Sequence, residues 1–303
     1  MSDRLLLPFV LLLHLVFPAR ADIVPVRALS GSADDAALFS PRGISIGYGG
    51  LLYVADGGSD RIVVFDTAGA VASTVGFSGS AGGRFLEPTD VAAAEGLHLY
   101  VLDAGNERVQ LFDRYGQFLD VLLDREAGTI GTPLGLEADS FGRLYVTDAE
   151  ADRVRVFRSF TGQEEFSFGG FGTEPGRFRG PADASVDRSR RIYVADRGNN
   201  RVQVFDPLGG FLRSIGEGEG SARLSGPTGV AVDRKGRVFV ADGGNARVVV
   251  FDEAGGFAGE IREGVGGKPL VSPRGVAVDD AGLLYVSDPA GGLVHLFRYG
   301  AAP

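Results

Sequence analysis

An aspartate and an arginine five residues apart recur along this chain, and acid–base pairs are the first place to look for chemistry. They are Asp196 and Arg201 in "YVADRGNNRVQVFDPLGGFL" (193–212), and Asp103 and Arg108 in "LYVLDAGNERVQLFDRYGQFL" (99–119). "VFVADGGNARVVVFDEAGGFA" (238–258) repeats them as Asp242 and Arg247. A group needed at the same place in every copy is a building element rather than one catalytic centre. The Asp is expected to accept N–H groups of the turn that follows it, as Asx-turns do. The Arg is expected to pair with it across that turn, and Gly198-Asn199 and their equivalents to supply positive-φ positions.

Chemistry therefore has to come from residues that break the pattern. Three acids do so. Glu137 stands where the other copies have Ser45, Ala92, Ser185, Ala231 and Ala277, and Asp90 and Asp183 stand where most copies have Gly. Three oxygen donors suit a hard cation such as Ca²⁺, although carboxylates also serve as turn caps. Of opposite sign, Arg42 and Arg274 share a "PRG" turn and could form a basic lip for an anionic group. Other site chemistries are excluded by counting. The chain has no Cys and three His, of which His14 falls in the signal peptide expected at 1–21, and the remaining His98 and His295 are too few for a three-ligand zinc centre without carboxylates. It has neither a G-x-S-x-G nucleophile in a strand–turn–helix setting nor a P-loop.

The elements that hold these residues follow from an internal period. The "Y/F-V-x-D" element begins at Tyr53, Tyr100, Tyr145, Tyr193, Phe239 and Tyr285. A proline recurs with the same steps at Pro41, Pro88, Pro133, Pro181, Pro227 and Pro273, with an apolar residue three positions before each. Each period reads as four short strands: in the fourth copy 182–187, 191–196, 201–205 and 210–216. The connections are rich in Gly, Asn and Asp, as hairpins require, and the chain holds 47 Gly. Four-stranded antiparallel units at this spacing are blades of a β-propeller, so the fold class is all-β with six blades. After Pro273 there is chain for only three strands. Ile23–Leu29 is expected to supply the fourth, pairing both ends of the ring and hiding both sheet edges.

"PTGVAVDRKGRVFVADGGNARVVVFDEAGGF" (227–257) resembles an NHL-repeat blade, and the resemblance extends over 22–303. WD40 and kelch repeats lean on Trp, which is absent. The NHL turn often reads Asn-His-Arg, whereas here no copy carries the His. Relatives of the fold include a zinc-dependent amidating lyase, calcium-dependent lactonases and a streptogramin lyase. The resemblance therefore leaves an enzyme in play beside a binding scaffold. Cytoplasmic NHL proteins also bind RNA.

Residues 1–21 read as a secretory signal peptide. A charged start is followed by the apolar run Leu5–Phe17 and the Ala19-Arg20-Ala21 cleavage signature. Thirteen apolar residues fall short of the ~20 that a spanning helix needs, and no later run is longer. Cleavage would remove one net positive charge and take the formal net charge from −9 to −10. An acidic exported chain is unsuited to nucleic acid, whose binding rests on neutralising phosphates. A cysteine-free exported protein fits a bacterial periplasm or exterior. The expectation is thus a monomeric, exported, non-enzymatic scaffold that binds a protein or cell-envelope partner through one face. Its candidate residues are Arg42, Asp90, Glu137, Asp183 and Arg274, and no cofactor is expected. The alternative is a Ca²⁺-dependent hydrolase or lyase using Asp90, Glu137 and Asp183 at the central channel.

Overall fold

The computed structural model describes residues 23–31, 37–94 and 98–300. The expected signal peptide at 1–21 lies outside the described residues. Six four-stranded antiparallel sheets are present, and the innermost strands contact one another in a closed ring. Strand a of each blade faces the axis: Pro41–Ile46, Pro88–Ala94, Pro133–Ala138, Pro181–Val186, Pro227–Val232 and Val276–Val278 in blades one to six. Strands b, c and d follow outward. In blade four they are Ile192–Asp196, Arg201–Phe205 and Phe211–Ile215, within a residue or so of the sequence reading. The closure is also as expected. Ile23–Leu29 pairs antiparallel with Leu293–Tyr299, running from Ile23 opposite Tyr299 to Leu29 opposite Val294.

Each blade packs between two neighbours, so strands b and c are buried on both faces and read as continuous apolar runs. Phe65, Phe112, Phe157, Phe205, Phe251 and Phe297 of strand c are all at most 1% exposed. Phe205 meets Phe168 and Phe178 at ring-centroid distances of 4.8 and 5.4 Å. Fully burying one such side chain contributes about 1.5–3 kcal/mol. The apolar residues three before the prolines, Leu38 to Leu270, are buried as well.

The recurrent Asp is a building element, but its partners differ from the expectation. Its Oδ1 accepts an N–H from the loop that enters the blade, not mainly from the turn that follows. In blades one, two, four and five the donors are Phe39, Leu86, Arg179 and Ser225. The reason is topological: the end of strand b and the start of strand a lie at the same end of the blade. Oδ2 takes the arginine, with Nε at 3.2, 2.8, 2.9 and 2.7 Å from Asp56, Asp103, Asp196 and Asp242. The left-handed positions also shift by one, falling on Asp60, Glu107, Asn200 and Ala246. Gly198 is required for a different reason: its N–H donates to Arg179 O at 2.8 Å, and a Cβ would stand 2.5 Å from that oxygen.

Blades three and six depart from this arrangement. Neither forms the one-turn 3₁₀ helix that follows strand b elsewhere. In blade three Arg153 Nε is buried without a hydrogen-bond partner, because "AEAD" replaces the Gly-Asn turn. In blade six Leu293 stands at the arginine position, and His295 Nε2 lies 3.8 Å from Asp288 instead.

Candidate functional site

The six strands a enclose a cavity of about 300 Å³. Asp90, Glu137, Asp183 and Arg274 all line it, so the axis brings together four of the five expected residues. Arg42 sits just outside the lining, 3.6 Å from Glu87. At the opposite end of the axis the turns between strands a and b hold a separate cavity of about 160 Å³. Arg188 and Arg234 both pair with Asp280 there.

The three carboxylates bind backbone of the next blade. Leu136 N–H of blade three donates to Asp90 Oδ2 at 2.7 Å, and Val230 N–H of blade five donates to Asp183 Oδ2 at 2.9 Å. Their other oxygens accept from Val91 and Ala184. Glu137 accepts from Val186 N–H of blade four. Other joints use hydroxyls: Ala93 N–H donates to Ser45, Thr228 donates to Pro273 O, and Ser287 donates to Arg42 O. A polar contact therefore stitches every joint of the ring beside the axis. The close approach explains the alternating glycines, since a Cβ on Gly43 would stand 1.8 Å from Asp90 Oδ1.

This arrangement bears on the calcium reading. Among the described residues no group of three or more Asp, Glu, His or Cys is arranged to hold a metal ion. The electrostatics are nonetheless unusual. Burial, and then the neighbouring Asp183 charge, hold the Asp90 carboxyl well above the usual carboxylate range. Burial also raises Asp183. Burial pushes Glu137 up to about 8, with Asp183, Asp90 and Asp139 adding to it. Proton affinity rises because burial penalises the charged forms, an effect that the Arg274 charge offsets only in part at Asp90 and Asp183.

On the other side of the channel, Arg274 makes no ion pair within 4 Å among the described residues. Its burial, followed by the charges of Arg42 and Arg197, lowers its pKa against the pull of Asp90 and Asp183. Arg197 is a site residue that the sequence reading passed over, although it stands in the stretch 193–212. The other blades have Gly57, Ala104, Ala149, Gly243 and Pro289 there, so the comparison that exposed Glu137 could have exposed it. Thr89 was passed over too. It lines the cavity, is 6% exposed, and its Oγ1 has no hydrogen-bond partner. His98 and His295 lie in different blades, so the described residues hold no histidine pair.

Six radial blades, a closure strand from the opposite end of the chain and an axial cavity define a six-bladed β-propeller. Residues 178–205 and 224–251, in blades four and five, match the NHL repeat family model. Solved structures similar to it share the fold. A structural genomics protein of unknown function from Bacteroides thetaiotaomicron VPI-5482 aligns with a TM-score of 0.67 at 17% identity, covering 89% of this chain and 72% of that one. A chain of a nidogen/laminin complex gives 0.64 at 19%, covering 78% and 84%. A catalytically inactive virginiamycin B lyase from Staphylococcus aureus with quinupristin gives 0.62 at 10%, covering 92% and 88%. No curated protein matches the chain. Among the described residues no helix is long and apolar enough to cross a membrane.

Proposed function

We propose that this chain is an exported, monomeric, non-enzymatic propeller that binds a protein or cell-envelope partner through the face on which Arg42, Arg197 and Arg274 gather. The observation that carries this reading is Arg274. It is a guanidinium in the channel with no ion-pair contact within 4 Å among the described residues, beside two more of like charge and only partly offset by Asp90 and Asp183. Such a group costs free energy unless an anion reaches it, and an incoming partner can supply one. The cavity lining holds no His, Cys or Lys, which favours recognition over nucleophilic chemistry. The backbone partners of Asp90, Glu137 and Asp183 favour it over a calcium-dependent hydrolase for the same reason: their oxygens already hold the blades together.

The test is capture from a native envelope extract by the immobilised mature protein and by its Arg274→Glu variant. Loss of a specific partner on charge reversal is the expected result. Capture indifferent to Arg274 and Arg42 would overturn the choice of face. Metal analysis of the same preparation covers the enzymatic alternative: stoichiometric Ca²⁺ that is lost in Glu137→Ala would replace this reading with the lyase or hydrolase one.

A further inference from the structure

The geometry points to a short zwitterionic peptide, or a peptide end of that size, as the ligand of the axial cavity. The inference rests on the binding role proposed above and names the chemistry that the site would recognise.

The charge layout comes first. In a ring of six, blade six lies across the axis from blade three, so Arg274 and Glu137 belong to opposite walls of one cavity. Arg274 follows the proline position of strand a and Glu137 lies three residues further along it. At ~3.3 Å per residue that is about 10 Å along the axis, the reach of roughly three extended residues. An anion alone would meet Asp90, Glu137 and Asp183, and a cation alone would meet Arg197 and Arg274. A molecule carrying a carboxylate at one end and an ammonium at the other matches both.

Free bonding capacity singles out the same residues. An ionised carboxylate has about four acceptor sites. Asp90 and Asp183 each accept two backbone N–H groups within the ring, whereas Val186 is the backbone donor to Glu137. Glu137 therefore keeps room for an ammonium, whose positive charge favours release of the Glu137 proton to solvent on binding. Arg274 makes no ion pair within 4 Å among the described residues, although Asp90 and Asp183 are within its electrostatic reach, so its fork can receive a carboxylate, the geometry guanidinium is built for.

The third observation is independent of charge. Thr89 sits at the same level of strand a as Arg274 and lines the same cavity, and its buried hydroxyl has no partner. Its counterpart Thr228 donates to Pro273 O at 3.1 Å. Leaving a buried hydroxyl unpaired is costly, and a peptide group passing Arg274 would supply the missing partner. The ammonium leads toward Glu137, the carboxylate stays at Arg274 near the arginine-lined mouth, and the intervening amide meets Thr89.

Titration calorimetry of the mature protein at pH 7 with triglycine, N-acetyl-triglycine and triglycinamide tests this. Triglycine is expected to bind, and blocking either end to weaken it at least tenfold. Glu137→Gln should weaken triglycine to the level of the acetylated form while leaving that form unchanged. Arg274→Gln should do the same with respect to the amide, and Thr89→Val should weaken all three ligands by several-fold. If a variant fails to fold, the blocked ligands on the wild-type protein still decide. Equal affinity for free and blocked ends, or no heat with millimolar triglycine, overturns the ligand class. That result together with envelope capture still dependent on Arg274 rejects the peptide and keeps the binding face. Binding that depends on both peptide ends, with capture indifferent to Arg274, would do the reverse.

Discussion

Blade four contains two buried aspartates on neighbouring strands, and they live under opposite electrostatic regimes. Asp196, 0% exposed, accepts from Arg179 N–H, Asn199, Arg201 and Gln203. Asp183 accepts from two backbone N–H groups, and Arg274 is present without an ion-pair contact. Both carboxylates hold the fold together. Only the second leaves a charge imbalance, and that imbalance makes the channel a place where something can bind. Burial by itself does not distinguish a structural acid from a functional one. The nearest cation does.

Removing the carboxylate at each position sharpens the contrast. Asp196→Ala removes the buried carboxylate of Arg201 and leaves it Glu217 at 3.4 Å, and breaking a buried ion pair by removing one partner costs about 3–5 kcal/mol. Asp183→Asn retains an acceptor for Val230 N–H and relieves a like-charge contact with Asp90. Its effect on stability should stay below about 1 kcal/mol, within the range of one neutral hydrogen bond. Chemical denaturation of both variants at pH 7 measures the difference. Comparable losses would mean that the Arg201 pair is no stronger than the channel contacts.

The second prediction concerns pH. Glu137 has an ordinary value of 4.5 and is pushed up to about 8 in the folded chain. The folded state therefore binds this proton more tightly than the unfolded state does. Its contribution to stability is fully present below pH 4.5 and is lost as pH rises toward 8, at up to about 1.4 kcal/mol per pH unit for the one group. Asp183 and Asp90 titrate in the same direction. Thermal melts should fall between pH 5 and 8 more steeply for wild type than for Glu137→Gln. Parallel curves would show that Glu137 is ionised throughout that range.

Much of this was legible in the sequence. The proline and Tyr/Phe markers set the blade number, and the missing last strand located the closure at Ile23–Leu29. Asp90, Glu137 and Asp183 stood out because the same ruler gave small residues elsewhere. What the sequence did not carry was the partner of each group. The Asp196 acceptor looked like a turn cap because Asn199 and Gly198 follow it directly. Its N–H donor, Arg179, is seventeen residues upstream and reaches it only because the blade folds back. The same distance in sequence hid the bonds from Leu136 to Asp90 and from Val230 to Asp183. Arg197 does not stand out in the sequence because the turn that carries it reads as a structural repeat, yet it lines the axial cavity.

Blade six offers a third case between the two regimes. Asp288 accepts from Val271 and Ser272 N–H, and the nearest basic group is His295, which is 3% exposed and has no partner for Nδ1. His295→Ala removes the contact with Asp288 and opens a small space beside Gly264, so a loss of about 1–3 kcal/mol is expected. That is smaller than for Asp196→Ala, because the backbone N–H groups continue to serve Asp288. Denaturation midpoints compared at constant slope would settle the order. A loss as large as that of Asp196→Ala would make the histidine a full substitute for the arginine.

The smallest expected effect tests whether the closure blade needs a cation at all. Leu293→Arg restores the residue that blades one, two, four and five use. Yet Asp288 is already occupied by its upstream N–H donors, and the turn before Leu293 lacks the 3₁₀ helix that aims the arginine elsewhere. The blade is instead held from outside by the ladder between Ile23–Leu29 and Leu293–Tyr299. The new arginine should therefore change stability by no more than about 0.5 kcal/mol, as substitutions away from a buried network do. The mirror change, Arg201→Leu in blade four, leaves Asp196 without its cation and should cost about 3–5 kcal/mol. If Leu293→Arg instead stabilises the protein by more than 1 kcal/mol, the backbone ladder is insufficient for closure and blade six is the weak joint of the ring.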